Sequence, residues 1–276
     1  MLAIEQNFLM FLVVSAPFFG SCISTILTRA QRQQTILYPI FSNCSKCCHH
    51  LPFFHKIPIL SYIALKGKCS FCGISINWIH ITFEIGFLIS SLLAVAILFN
   101  QTFGVILLTI FLAWIFIPLS TFDIQKKRLP DIITVPIACA GFLQGYFLPY
   151  VMFFDCLFGF ILGFAFGTIV SVSYSRLRRQ TGLGWGDVKL IAAIGAWIGW
   201  QFVPWFILLA SMSALTYGIF QIIKHGKHMA NERIPFGPFL CGSSWLVWLY
   251  TISWVTRNIH ISTCNQISSK DRKRAY

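Results

Sequence analysis

The sequence predicts an all-α, polytopic helical membrane protein, and three observations carry that expectation. Hydrophobic residues make up 57% of the 276-residue chain and charged residues 11%, against roughly 45–50% and about 25% in soluble domains. The mean hydropathy is +0.73, with 28 Phe and 9 Trp. The apolar stretches are continuous rather than alternating, which argues against a barrel. A soluble enzyme, a disordered chain and a secreted disulfide scaffold are all excluded by this composition.

A spanning helix needs about 20 mostly apolar residues. Eight stretches qualify as candidates: 7–27, 79–99, 102–121, 132–151, 154–174, 188–200, 202–223 and 236–256. The first has no basic segment before it and no small-residue cleavage site after it, so it reads as a retained helix rather than a signal peptide. The second follows a cysteine-rich segment and carries Glu84 one turn or more inside. The third ends at Asp123, and the fourth starts after Leu129-Pro130-Asp131. The fifth opens with Asp155 at its outer end and is mostly apolar after it. The sixth is short and extends back towards Asp187, and the last two follow it closely. The domain division expected is a first transmembrane helix (1–27), a cytoplasmic cysteine-rich module (28–78), a transmembrane core (79–256) and a basic tail (257–276).

Net charge is +13. The basic residues lie between apolar spans, so they point to membrane orientation rather than to nucleic acid as a partner. They gather in 28–78, after span three (Lys126, Lys127, Arg128), after span five (Arg176, Arg178, Arg179) and after span seven (Lys224, Lys227, Arg233). The intervening connections near 100, 152 and 201 carry none. The four basic connections are therefore expected in the cytoplasm, with the N-terminus outside. The tail holds Arg257, Lys270, Arg272, Lys273 and Arg274, and an even span count places it outside, against the same rule.

Ten cysteines are distributed unevenly. Cys44 and Cys47 form one C-x-x-C pair, Cys69 and Cys72 a second, with 21 residues between them. Zinc takes four thiolate or imidazole ligands in a tetrahedron, and each pair supplies two sulfurs on one side of the metal. A loop facing the reducing cytosol disfavours disulfides. Zinc at Cys44, Cys47, Cys69 and Cys72 is the expectation. The alternative is a cysteine-rich loop without metal, and Cys48, His49, His50 and His55 are spare ligands. Cys22, Cys139, Cys156 and Cys241 lie inside spans and read as packing residues.

Only eight acids occur. Asp123 and Asp187 lie at the cytoplasmic edge of different spans, where an acid must pair or work. Two carboxylates converging on one water are the apparatus of an aspartic protease. Gly184 and Gly186 flank Asp187 and free space for an extended substrate backbone. The bland readings are a helix cap for Asp187 and a solvated acid paired with Lys126 or Lys127 for Asp123. Asp131 reads as a cap.

At these residues the chain resembles the type IV prepilin leader peptidases, the bacterial GxGD aspartic membrane proteases. Gly184-Trp185-Gly186-Asp187-Val188-Lys189 is similar to the family's second aspartate motif, and Asp123 with Leu129-Pro130-Asp131 to its first. The four cysteines, Ile57-Pro58, Leu60-Ser61 and Gly67-Lys68-Cys69 resemble its cytoplasmic module. Ile234-Pro235-Phe236-Gly237-Pro238 resembles its motif before the last span. The chain departs at Gly20-Ser21-Cys22-Ile23-Ser24 and at His80-Ile81. The resemblance implies a bifunctional enzyme of the bacterial inner membrane. It would cut the leader from prepilins or pseudopilins at the cytoplasmic face, with Asp123 and Asp187 catalytic. It would then methylate the new N-terminus with S-adenosylmethionine, with Glu84 and Gly67 associated with that step. The rivals are a peptidase without methylation, and a non-enzymatic carrier or metal-handling membrane protein using the two acids as ion sites.

Overall fold

The structure, a computed structural model, describes residues 3–31, 44, 46–47, 49–50, 52–127, 129–147, 151–178, 182–226 and 234–274. Its helices are α1 (Ala3–Gln31), α2 (Leu60–Ala64), α3 (Trp78–Ile97), α4 (Phe103–Lys126), α5 (Asp131–Phe147), α6 (Phe153–Arg178), α7 (Trp185–Ile198), α8 (Val203–His225) and α9 (Gly237–Arg274). A 3-10 turn covers Phe53–Lys56. The all-α class holds, and each apolar stretch coincides with a helix.

The expected number of spans is not established by this. Among the described residues, five helical stretches are long and apolar enough to cross a membrane: Ile4–Arg29, Trp78–Ile97, Phe103–Lys126, Phe153–Leu177 and Val203–His225. Helices α5 and α7 have only 17 and 14 residues. Helix α9 runs on through the basic tail to Arg274.

The chain divides into two compact units, Met1–Pro118 and Leu119–Tyr276, with the boundary inside α4. In the first unit α1 packs against α3. A side chain at Gly20 would meet the Phe83 carbonyl oxygen at 2.8 Å, so the glycine lets the two backbones approach. Asn77 starts α3 by accepting the Ile79 N–H at 3.1 Å, an ordinary N-cap. The Trp114 indole N–H donates to Ser91 Oγ at 3.1 Å, and its ring stacks on Phe87 at 5.1 Å.

The second unit is organised around α7, in which every residue from Leu190 to Ile198 is buried. Helix α6 presents Gly159, Gly163 and Gly167, four apart and hence on one face. A side chain on Gly163 would meet the Ile191 carbonyl oxygen at 2.8 Å, and one on Gly167 the Val188 side chain at 3.2 Å. Gly159 faces the backbone of Gly195 in the same way. Small residues at this spacing bring helices into backbone contact, where a membrane core gives little hydrophobic drive for association. On α5, Gly141 makes room for Trp197, and the Trp197 indole N–H donates to the Ile137 carbonyl at 2.7 Å. Gln144 donates to the Trp197 carbonyl at 2.9 Å. From α9, Trp248 meets Trp197 edge to face at 5.5 Å. Helix α7 is thus fixed from three sides, and its N-terminus carries Asp187.

Candidate active site and candidate metal centre

Asp123 lies in the last turn of α4, which ends as Lys127 turns to φ +50°. It is only 5% exposed. Its Oδ2 accepts the backbone N–H of Gly237 at 2.8 Å. That description does not fit a solvated loop acid. Gly237 opens α9, so Asp123 occupies the N-terminus of a helix 114 residues away in sequence. A carboxylate is favoured at such an end, where backbone N–H groups lack intrahelical partners.

Asp187 is the third residue of α7, whose N-cap is Gly184. As an acid in the first turn of a helix it is favoured by the backbone N–H groups that lack intrahelical partners there. Asp187 is half-buried. The charge of Asp123 acts on Asp187, and both act on the buried Cys241 thiol of α9. The fold therefore brings the two acids within electrostatic reach of each other, 64 residues apart in the chain.

The two glycines beside Asp187 have different surroundings. A side chain on Gly184 would meet nothing within 4 Å except Asp187 Oδ2 at 3.3 Å. One on Gly186 would meet Leu129, at 3.0 Å from its Cβ. The close approach at Gly186 is that of the chain's own Leu129-Pro130 segment. Asp131 does more than begin α5. Its two oxygens take the Lys189 ammonium at 2.8 and 2.7 Å, with both side chains largely exposed. This tie between the two aspartate segments, like the Gly237 N–H, was absent from the sequence reading. Only the resemblance of residues 234–238 to a family motif pointed to Gly237.

In the first unit, the ligand atoms of Cys44, Cys47, Cys69 and Cys72 all lie within 4.8 Å of one another. Cys44 Sγ and Cys72 Sγ are 3.7 Å apart. A tetrahedron with Zn–S bonds of about 2.3 Å has edges of about 3.8 Å, so the four sulfurs fit a metal ion of that size. Each pair sits on a turn. Gly73 N–H donates to the Cys69 carbonyl at 2.9 Å, with φ +69° at Gly73. The N–H groups of Cys47 and Lys46 directed at Cys44 hold its thiol below the usual range, at about 6, which favours the thiolate a metal needs. The spare ligands have other partners. The His49 ring lies tilted against Phe71, with centroids 3.8 Å apart, and His55 Nδ1 pairs with Ser70 Oγ at 3.3 Å. Cys48 lies outside the described residues.

Glu84 and Gly67 shape the approach to this module. Glu84 is 6% exposed, and its Oε2 accepts the Ile59 N–H at 2.7 Å. Ile59 has φ +62° and ψ −56°, and Leu60 N–H donates to the Pro58 carbonyl at 2.6 Å. This is a γ-turn of the rare kind, strained for a β-branched residue. Gly67 has φ +66°, and a side chain there would meet the Tyr62 ring at 3.0 Å. The two segments that depart from the family pattern meet here, with Ser24 Oγ and His80 Nδ1 2.7 Å apart.

The family model of the type IV leader peptidases matches residues 110–219, and that of the bacterial peptidase A24 N-terminal domain matches residues 14–99. A prepilin leader peptidase/N-methyltransferase of Aeromonas salmonicida (strain A449) is 33% identical over 210 residues, covering 76% of this chain and 71% of that protein. Proteins of the same name from Pseudomonas aeruginosa and Pseudomonas putida are 32% and 31% identical, each over 76% of this chain and over 71% and 72% of their own length. No solved structure matches. Helices fit to span a membrane, a four-cysteine cluster and two matched models that together cover both halves of the chain lead to one conclusion: this protein belongs to the type IV leader peptidase family.

Proposed function

We propose that the protein is an aspartic prepilin peptidase that removes leader peptides from type IV prepilins or pseudopilins and then N-methylates the new terminus. The observation that carries the peptidase is the pairing of Asp123, which holds the Gly237 N–H at the start of α9, with Asp187 in the first turn of α7, each within reach of the other's charge. The names of the relatives support the substrate and the second activity.

Two neighbouring carboxylates share one proton. The ionised member takes a proton from water as the water oxygen attacks the scissile carbonyl carbon. The protonated member donates to the carbonyl oxygen. When the tetrahedral intermediate collapses, the C–N bond breaks and the leaving amine takes a proton from the pair. The products are a leader carboxylate and a free N-terminus, with no covalent enzyme intermediate. Gly184, with open space on its own side, is the point where an extended substrate backbone approaches.

Cys44, Cys47, Cys69 and Cys72 would hold zinc. A four-thiolate site leaves no open position, so the ion would organise the fold rather than take part in chemistry. S-Adenosylmethionine would supply the methyl group. Glu84 and Gly67 would serve that step by holding in place the γ-turn at Ile59 and the turn that leads into Cys69. The enzyme would lie in the inner membrane with both acids facing the cytoplasm, as the basic connections indicate.

Co-expression with a prepilin tests this reading. Asp123→Asn and Asp187→Asn should each stop leader removal while the protein stays in the membrane. Mass spectrometry of the mature pilin N-terminus reads the methyl group. Cleavage by both variants would refute the dyad and favour a carrier. Cleavage without a methyl group would leave the peptidase alone.

A further inference from the structure

We propose that Gly237 is a positioning residue for peptide cleavage: its N–H and its missing side chain fix the carboxylate of Asp123 in one orientation. The inference rests on Asp123 being one of the two catalytic acids. Two independent geometric facts point to it. The Gly237 N–H donates to Oδ2 at 2.8 Å. A side chain built on Gly237 would lie 2.7 Å from the same oxygen, 2.9 Å from Cγ and 3.0 Å from Cβ of Asp123. Any other residue at this position must displace the acid or the start of α9.

The consequence is a division of labour between the oxygens of Asp123. Oδ2 is taken by the helix N-terminus, and Oδ1 is left for water or for the proton shared with Asp187. Asp187 also stands beside a glycine on its own helix: a side chain built on Gly184 would lie 3.3 Å from its Oδ2. Each acid therefore sits beside a glycine at the beginning of a helix, one within its own helix start and one from a distant segment. Helix α9 is itself anchored: Trp248 is fully buried against Trp197. Gly237 thus ties Asp123 to the helix that supports α7 and Asp187. It touches no substrate, and acts through Asp123.

The test is steady-state cleavage of a prepilin by detergent-solubilised full-length enzyme. Gly237→Ala should lower kcat by about 10²-fold, the size expected when a reacting group moves by about 1 Å. KM should stay within about twofold, because substrate contacts are untouched. Gly242→Ala, with open space at the same helix, should behave as the parent. Residue-resolved amide hydrogen exchange tests the bond without altering Gly237. Its N–H should exchange at least about tenfold faster in Asp123→Ala than in the parent, and unchanged in Asp131→Ala. A parental kcat for Gly237→Ala, a change confined to KM, or equal exchange in Asp123→Ala would overturn the proposal. If instead Asp123→Asn still cleaves, it is the dyad reading that fails.

Discussion

The cysteine cluster and the aspartate pair solve the same problem with opposite means. Each must hold anionic side chains in a fixed array. At the cysteines the support is thin: α2 has no buried residue, and of the four ligands only Cys69 is buried. There, turn amides favour the thiolate at Cys44 while the neighbouring sulfurs push Cys47 up to about 11, and a metal ion would have to complete the fold. At the aspartates the support is dense. Helix α7 is buried along almost its whole length, and the glycine amide that starts α9 holds the Asp123 carboxylate. The lesson is that an exposed array needs a ligand to be rigid, whereas a buried one needs only backbone.

The largest expected effect breaks or keeps that contrast directly. Asp123→Asn and Asp187→Asn should each reduce cleavage by about 10²–10⁴-fold or more, the range of a lost acid–base group, with an unchanged melting profile in detergent. A variant that loses activity only because it unfolds would place the aspartates among the structural groups.

Next in size is removal of the metal. Purified protein should contain about one zinc ion per chain, as a closed four-thiolate site holds. Cys44→Ser with Cys47→Ser should abolish it, and limited proteolysis should then cut within 44–72. Cleavage of prepilin should fall much less than methylation. Equal loss of both activities would show that the cysteine module also serves the aspartates.

A smaller effect sharpens the role of backbone packing. Gly163→Val places side-chain atoms against the Ile191 carbonyl. Overpacking of this kind costs about 1–3 kcal/mol, seen as a lower unfolding midpoint, while the metal content should be unaffected. Unchanged stability would mean that α6 and α7 are not in the contact described.

The smallest effect belongs to Asp131→Asn. Its ion pair with Lys189 is 60% exposed on the Asp side, and exposed pairs contribute about 0–1 kcal/mol. Cleavage should stay within a few-fold of the parent. Damage as severe as that of Asp123→Asn would mean that the wrong acid has been chosen from the first motif.

The helices and the cysteine cluster were legible in the sequence because both are local signals. Continuous apolar runs mark helices, and two C-x-x-C pairs mark a metal knuckle. The glycine face at 159, 163 and 167 was equally visible as spacing, but its partner was not. The ties that shape the site were out of sight for a different reason. Gly237 meets Asp123 across 114 residues and Lys189 meets Asp131 across 58. No periodicity encodes which helix end comes to rest beside which acid. For Asp123 the sequence offered Lys126 and Lys127 as neighbours, and the described bond goes elsewhere. The γ-turn at Ile59 was hidden too, since nothing in a β-branched residue advertises positive φ.

Helix α7 has 14 residues, which makes it about 21 Å long. That is shorter than the hydrocarbon core of about 30 Å. Wrapped by α5, α6 and α9, it meets protein where an isolated helix would meet lipid tails. Its depth is therefore not adjusted by hydrophobic mismatch, as that of a lone helix would be. Packing against these three helices sets where the acid at the start of α7 stands relative to them. On the proposed reading, a substrate helix lying beside them would meet Asp187 at a height set by protein packing rather than by the fit of α7 to the lipid.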